Sequence, residues 1–386
     1  VINTSLSDLA RAVSDAASLK EGPDAVIRLL QVVAARGPIS AKELSQSIGL
    51  PIPVLAAVRR ELESRGILER KGGIVLTDNG KRLIEGQTYR FLGVCEACSG
   101  AGLLIPDELS PLLDKLRLYR ANRPQVDVSL DQSFILPEYN LRRCLFALNH
   151  GLLAGRRVLF IGDDDASSLC VGLLAAYLGF HVDLTVLDID HRILSYVQTA
   201  CDEEGIEVKL LDHDARDPLP THISSTFDTV FIDPPYTLTG LELFLSRAVD
   251  ALVKQEGSAV VLSFGRKPPS ESVQIMEKIC NMHLYVSDVR PSFNRYEGAS
   301  VLAGASDIYL LRATHISKPT IKGRYTREIY TGDVRPKVRT YICTKCGSSY
   351  KIAPGEKWQT IEALKAEGCP RCCNRSFRRQ SSTLSG

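Results

Sequence analysis

From residue 158 onward the chain alternates short, wholly apolar runs with longer stretches in which apolar positions recur every three or four residues. The short runs suit strands covered on both faces, and the longer stretches suit helices packed against a sheet. The pattern predicts strands over residues 158–161, 181–187, 206–211, 227–232, 258–264, 283–289 and 307–312. Helices are expected over 168–177, 192–204, 240–253 and 272–281, and over 140–153 ahead of the first strand. Strand and helix in alternation indicate an α/β fold built on a parallel, Rossmann-like sheet. Ligands of such a sheet gather at the carboxyl ends of its strands.

A different rhythm occupies residues 24–86. An amphipathic helix over 24–36 stops at Gly37-Pro38, and Ser40 then caps a helix over 41–48, with Glu43 placed to close a capping box. Gly49 turns the chain into a helix over 53–64, and residues 66–77 read as two short strands joined through Gly72-Gly73. Helix-turn-helix followed by a hairpin is a winged-helix pattern. Arg59, Arg60 and Arg65 lie on its second helix, but Glu61 and Glu63 interleave with them. That mixture favours a structural or dimerising module over DNA binding.

Charge separates the segments further. Residues 1–90 carry 13 Lys and Arg against 10 Asp and Glu, residues 91–315 carry 19 against 30, and residues 316–386 carry 15 against 5. An acidic centre suits a polycation and repels nucleic acid, whereas the basic tail can touch nucleic acid or dock on that centre. The tail also holds Cys343, Cys346, Cys369 and Cys372, two CxxC knuckles with 22 residues between them. Four thiolates so spaced predict a closed, structural zinc ribbon, with Cys373 a bystander. Cys95 and Cys98 form a half-site, read equally as a turn or as a metal site completed elsewhere or across a dimer. Eleven cysteines, an odd number with two such pairs, indicate metal binding in a reducing compartment, so a cytoplasmic location is expected. No apolar run approaches membrane-spanning length, and the start of the chain lacks a secretory pattern. Four segments result: a winged-helix-like domain (1–90), a connecting segment with CxxC (91–130), a Rossmann-like catalytic domain (131–315), and a basic linker with a zinc-ribbon-like module (316–386).

The candidate chemistry lies at the strand ends. The first strand ends in Gly162-Asp163-Asp164-Asp165, where a nucleotide-binding turn ordinarily carries several glycines that let amides approach an anion. Three consecutive aspartates repel an anion and hold a cation. The next strands end in Asp188, in Asp212 and Asp214, and in Asp233-Pro234-Pro235-Tyr236, so all four bring carboxylates to one crevice. Asp188, roughly 20 residues past the glycine turn, suits the ribose hydroxyls, with a helix N-cap as its competing role. Asp214 suits an adenine amino group or is a solvated loop residue. The two prolines fix a rigid turn that pushes Asp233 and Tyr236 inward, where they would grip an amine about to be alkylated. His181 and His213 read as packing or surface residues.

With Phe293-Asn294-Arg295-Tyr296-Glu297-Gly298-Ala299 and Ile329-Tyr330-Thr331-Gly332 added, these motifs resemble the branched-chain polyamine synthase family over roughly residues 24–315. The resemblance implies the class I methyltransferase-like fold. It also implies an aminopropyltransferase that moves aminopropyl groups from decarboxylated S-adenosylmethionine to the secondary amine of spermidine, giving branched polyamines and 5′-methylthioadenosine. Gly162, Asp163, Asp164, Asp165, Asp188, Asp214, Asp233, Pro234, Pro235 and Tyr236 then form the substrate site. Asp165 would accept the acceptor's proton, Asp164 and Asp233 would hold amines, and Asp163 would serve the turn or the donor amine. Tyr236 would line the propyl channel and Tyr330 would act as a closing hinge. A homodimer is expected, with neither nucleic acid nor membrane as partner. Charge agrees independently: the α-carboxylate of ordinary S-adenosylmethionine would oppose the acidic turn by a few kcal/mol per close pair at an effective dielectric near 20. Two other readings compete. An amino-methyltransferase acting on nucleic acid explains Asp-Pro-Pro-Tyr but not the acidic turn, and a DNA-binding nucleotide or polyamine sensor would need no turnover.

Overall fold

The computed structural model describes residues 5–87, 102–255, 257–297, 304–331, 339–352, 356–358 and 361–379, so Cys95 and Cys98 lie outside the described residues. Helices α1 (Leu6–Ala16), α2 (Pro23–Arg36), α3 (Ala41–Ile48) and α4 (Ile52–Ser64) lead into the hairpin β1 (Leu68–Arg70) and β2 (Ile74–Leu76), followed by α5 (Asp78–Leu83). The capping box is formed: the Glu43 amide donates to Ser40 Oγ and the Ser40 amide to Glu43 Oε2, both at 3.1 Å. Helix α1, unforeseen in the sequence, contributes Leu9 and Val13 to a core shared with Leu29, Leu44, Leu55, Leu62 and Ile74. Arg59 of α4 pairs with Glu63 at 2.9 Å and Arg65, at the C-cap of that helix, with Glu61 at 3.6 Å, so two of the three arginines spend their charge locally.

The centre of the chain contains α6 (Ser110–Ala121), β3 (Phe134–Ile135), α7 (Pro137–Asn149), β4 (Arg157–Ile161), α8 (Ser167–Leu178), β5 (Asp183–Asp188), α9 (His191–Glu204), β6 (Val208–Asp212), β7 (Thr229–Ile232), α10 (Leu238–Ala251), β8 (Ala259–Phe264), α11 (Pro269–Asn281), β9 (Tyr285–Glu297) and β10 (Ala305–Arg312). Its strands run in the order β6-β5-β4-β7-β8-β10-β9-β3. The five from β6 to β8 are parallel, and β10 is antiparallel to both its neighbours. Strand order reverses between β4 and β7, which opens a crevice at their carboxyl ends. Along β4, Val158 and Phe160 face a layer with Leu169, Leu174 and Phe231, while Leu159 and Ile161 face Leu241, Leu245 and Phe264. That period of two is why a wholly apolar run is needed here. Leu109, Leu112 and Leu116 join the first layer, so the stretch before residue 130 packs on the catalytic core. Gly172 lets α8 press against the connection between α9 and β6: a Cβ there would lie 2.5 Å from Ile206 Cγ2.

The sequence pattern ended a strand at Val289, but β9 continues to Glu297. Pro291 has no amide hydrogen to donate, and Ser292 adopts a left-handed conformation (φ +52°). The pairing of β9 with β10 shifts register between Ser306 and Ile308, so a bulge absorbs the proline and the strand resumes. That continuation carries Asn294 and Tyr296 to the crevice.

After β10 the chain returns across the domain and is tied down by Arg247 of α10. Its guanidinium donates to the carbonyls of Ala215 (2.8 Å), Arg216 (3.2 Å), Ile321 (3.1 Å) and Gly323 (2.8 Å) while the residue is 1 % exposed. Farther on, β11 (Arg339–Cys343), β12 (Ser349–Ile352), α12 (Ile361–Glu367) and β13 (Phe377–Arg379) form a small module with strand order β12-β11-β13. Among the described residues no helix is long and apolar enough to cross a membrane. Replacing Arg247 with Met should lower stability by about 3 kcal/mol or more, because several buried carbonyls lose their donor at once. Urea unfolding of the variant and the parent protein measures the difference.

Candidate active site

The turn after β4 is held from beneath. The Gly162 amide donates to Leu187 O at 2.8 Å, and the Asp163 amide donates to Asp188 Oδ2 at 2.9 Å. The Asp163 side chain points back into the protein and caps α8: it accepts from the Ser167 amide (2.7 Å), from Ser168 Oγ (2.5 Å) and from the Ser168 amide. Burial pushes its pKa up to about 7 against those bonds. The amides that open α8, the place where a nucleotide-binding turn receives an anion, are thus satisfied internally. Ala166 follows in a left-handed conformation (φ +49°) and lets the chain enter the helix.

Asp164 and Asp165 face the other way. Asp164 Oδ2 accepts from the Ser133 amide at 3.1 Å, and Arg123 donates to the Asp164 carbonyl. Burial, and then the charges of Asp165 and Asp233, hold the Asp164 carboxyl well above the usual range. Asp165 accepts from the Ile135 amide at 2.9 Å and from Arg143 Nη2 at 2.5 Å, with Arg123 Nη2 3.8 Å away. Both side chains of the Arg143–Asp165 pair are 4 % exposed. The same guanidinium donates to Ser167 Oγ (2.9 Å) and Ser263 Oγ (3.1 Å) and reaches Asp233 Oδ2 at 3.4 Å.

Asp233 ends β7 and is gripped by two phenols: Tyr296 OH donates to Oδ2 at 2.8 Å and Tyr236 OH to Oδ1 at 3.2 Å. Burial, reinforced by the charge of Asp165, pushes its pKa up to about 7 although Arg143 and both phenols oppose the shift. Burial likewise raises both tyrosine hydroxyls, so they stay protonated donors. Pro234 and Pro235 are buried and offer no polar side chain; they shape the turn. One cavity is lined by Gly162, Asp163, Asp164, Asp165, Asp233 and Arg143 together with the apolar Phe160, Phe231, Ile232 and Val261.

The remaining acidic candidates sit to one side. Asp188 is 6 % exposed and accepts from the Asp163 and Asp190 amides; burial raises its pKa. The N-cap of α9 is Asp190 rather than Asp188. Asp190 also pairs with Arg192 and is lowered to about 2. Asp214 is ion-paired with Arg216 at 2.7 Å, which outweighs burial and lowers its pKa. Tyr330 is 8 % exposed, and the charges of Arg216, Asp214, Asp188 and Asp131 all act on its hydroxyl. Its segment is clasped over this side by Asp131, which accepts from the Thr331 amide (2.8 Å) and hydroxyl (2.9 Å), and by Thr237 Oγ1, which donates to Ile329 O (2.5 Å).

Residues 162–165 and 233–236 therefore meet as the motifs anticipated, with Asp188 behind them and Asp214 near Tyr330. Sequence reasoning missed Arg143, Arg123, Asp131 and Ser263, and quoted Tyr296 without a role. Arg143 had a signal: it lies on the face of α7 that also carries Asn140 and Cys144, inside a helix read only as amphipathic.

In the C-terminal module the Sγ atoms of Cys343, Cys346, Cys369 and Cys372 lie within 4.8 Å of one another. The Cys343–Cys372 and Cys346–Cys369 separations are 3.6 and 3.5 Å, near the edge of about 3.8 Å in a tetrahedral thiolate site with metal–sulfur bonds of about 2.3 Å. Asn374 Nδ2 donates to Cys343 Sγ at 3.4 Å, and Tyr350 OH lies 3.0 Å from Cys369 Sγ. This cluster could hold a metal ion.

Residues 111–352 match the family model of the branched-chain polyamine synthase A C-terminal domain. An uncharacterized protein of Methanocaldococcus jannaschii is 38 % identical over 97 % of this chain and 93 % of its own length. The N(4)-bis(aminopropyl)spermidine synthases of M. jannaschii and Thermococcus kodakarensis are each 30 % identical over 64 % of this chain and 70 % of their own. In fold, the chain is similar to the branched-chain polyamine synthase from Thermus thermophilus, solved with N4-aminopropylspermidine and 5′-methylthioadenosine (TM-score 0.69, 24 % identity, 85 % of this chain and 97 % of that one).

Asp163→Ala should cost about 1–3 kcal/mol, since the Ser167 and Ser168 donors lose a buried acceptor. Asp163→Asn should cost less, because an amide oxygen still accepts from Ser167. Chemical denaturation of both variants checks the order.

Proposed function

The chain belongs to the branched-chain polyamine synthase family, and from that premise we propose that it transfers aminopropyl groups from decarboxylated S-adenosylmethionine to the secondary amine of spermidine. One observation carries the reading: the cavity at the β4/β7 switch point is walled by Asp163, Asp164, Asp165 and Asp233, and the amides opening α8 are already capped. A donor with an α-carboxylate finds the Ser167 and Ser168 amides already taken by Asp163, and several carboxylates around them. A donor carrying only a sulfonium and an ammonium, with a polyamine beside it, finds the complementary charge. The same acidity disfavours a methyltransferase that must hold ordinary S-adenosylmethionine.

In this reading Asp188 would accept from the ribose hydroxyls, Asp214 would serve the base, and Asp164 with Asp233 would grip the acceptor's amines. The acceptor nitrogen attacks the propyl carbon next to sulfur; a C–N bond forms, the C–S bond breaks, and its electron pair leaves with neutral 5′-methylthioadenosine. The acceptor amine must shed one proton. We assign its acceptance to Asp233 in place of Asp165: both border the cavity and both reach Arg143, but Arg143 lies 2.5 Å from Asp165 against 3.4 Å from Asp233, whose pKa burial pushes up to about 7. Tyr236 lines the propyl channel beside it.

We read the helices and hairpin of residues 23–76 as a winged helix used for structure or dimer formation, since Arg59 and Arg65 are paired with Glu63 and Glu61. The four cysteines suit structural zinc: an all-thiolate set leaves no open position for catalysis. The free thiols among the described residues accord with a cytoplasmic location.

Mass spectrometry after incubation with decarboxylated S-adenosylmethionine and spermidine should show a branched aminopropyl product. Ordinary S-adenosylmethionine should bind at least tenfold more weakly, and equal affinity would sink the reading. A base must be unprotonated to act, so the rate should fall as pH drops through about 7. Asp233→Asn should lose roughly 10²–10⁴-fold in kcat and, with it, that acid limb. Chelation should unfold the β11–β13 module and leave the thermal transition of the central domain in place, as circular dichroism and calorimetry would report.

A further inference from the structure

The acidic crevice contains a cation of its own. Arg143 enters from α7, and its flat guanidinium touches three different strand ends. Nη2 bonds Asp165 and Ser167 on the β4 side, while Nη1 bonds Ser263 of β8 and reaches Asp233 at the end of β7. A hydrogen-bonded ring closes behind it. Asn294 Nδ2 donates to Ser263 Oγ (2.9 Å) and Ser306 Oγ (3.0 Å), Ser306 lies 2.9 Å from Tyr296 OH, and Tyr296 returns to Asp233. Such a fork can fix two carboxylates at once, whereas a lysine ammonium is a point charge on a flexible stem.

We infer that Arg143 is a positioning residue for the transfer. Through one guanidinium it sets the separation of the Asp165 and Asp233 carboxylates and offsets their mutual repulsion, so that Asp233 stands ionised between its two tyrosines and ready for a proton. This inference rests on the aminopropyltransferase reading for its consequence in catalysis, but not for its electrostatics. In the step itself the acceptor nitrogen bonds the propyl carbon, sulfur takes the C–S electron pair, and the proton from nitrogen ends on Asp233. Arg143 neither gives nor takes a proton; its charge opposes premature protonation of the base. Without it Asp233 would face Asp164 and Asp165 from the β4 turn, opposed by the Tyr236 and Tyr296 hydroxyls on its own turn and on β9, while Arg123 lies against the other oxygen of Asp165. Burial already drives Asp233 towards its neutral form, and Arg143 is the charge that counters this.

The test compares Arg143→Gln and Arg143→Lys with the parent protein in two measurements. The first is the titration of the Asp233 carboxyl by ¹³C NMR in the substrate-free protein, assigned with Asp233→Asn. The second is the pH dependence of kcat, with KM for spermidine. Arg143→Gln should raise the Asp233 midpoint and the acid limb of kcat together by about one pH unit or more. It should lower kcat by roughly a hundredfold while changing KM less than kcat. Arg143→Lys should restore most of the midpoint but not the rate, because charge is kept and the fork is lost. It decides the matter alone if the Gln variant does not fold: a midpoint close to the parent's with a depressed kcat supports the inference. An Asp233 midpoint and acid limb unmoved in folded Arg143→Gln, or full activity in Arg143→Lys, would overturn it. If the parent protein transferred no aminopropyl group, the assigned activity would fall while the NMR titration still decided what Arg143 does to Asp233.

Discussion

Five carboxylates, those of Asp163, Asp164, Asp165, Asp188 and Asp233, meet at the ends of β4, β5 and β7 where little water reaches, and the rest of the site follows from how each is compensated. Two like charges about 4 Å apart repel by about 4 kcal/mol at an effective dielectric near 20, so such a cluster cannot be left to itself. Asp163 is absorbed by the first turn of α8, and Asp188 by the amides of Asp163 and Asp190. Asp165 is taken by Arg143, with Arg123 behind it. Asp233 shares Arg143 with Asp165 and accepts from two tyrosine hydroxyls, and Asp164 accepts from the Ser133 amide, yet burial and the neighbouring charges still raise both. The turn motif reads as one acidic patch, yet its three members do three different jobs.

The compensating groups explain the shape of the surrounding chain. Arg143 requires α7 to pack across the β4/β7 seam. Tyr296 requires β9 to continue beyond Pro291, and the bulge at Ser292 makes that continuation possible. The Ser133 and Ile135 amides, which donate to Asp164 and Asp165, come from the stretch that becomes β3, and β3 pairs with the end of β9. The short edge strand and the long bulged one thus support the same two aspartates from adjacent positions. Arg247 plays the corresponding part for the opposite wall, fixing the return segment so that Tyr330 and Thr331 can reach Asp131.

The sheet was legible because its strands are local apolar runs: β4, β7 and β8 differ from the sequence reading by a residue or two at their ends. The capping box and the hairpin were legible for the same reason, since their partners lie within a few residues. The acid turn and Asp-Pro-Pro-Tyr announced themselves by composition. What the sequence concealed was pairing at long range. Arg143 meets Asp165 across 22 residues and Asp233 across 90, and Asp131 meets Thr331 across 200. Nothing in the local pattern says that an arginine on an amphipathic helix is the buried one, or that Asp165 will be claimed before a substrate arrives. Proximity to the helix start says where Asp165 is, but not that Arg143 and the Ile135 amide already hold it.

Charge motion during the transfer gives the arrangement its sense. Before reaction the positive charge lies on sulfur; afterwards it lies on the new ammonium, and in the proposed mechanism the departing proton carries it to Asp233, where it cancels. The total charge in the crevice does not change while its location moves by a few bond lengths. A site that stabilised only the sulfonium would hold the donor and slow the reaction, because binding that is equal or stronger in the ground state lowers no barrier. Carboxylates at both ends of the path, fixed in advance by hydrogen bonds and by Arg143, keep the moving charge matched throughout without reorganising. A freely solvated acidic pocket would bind polyamines too, but it would have to rearrange at each step. The buried guanidinium among the aspartates is therefore consistent with a site that attracts cations: it removes the surplus repulsion that would protonate the base and leaves just enough negative charge for the substrates to complete.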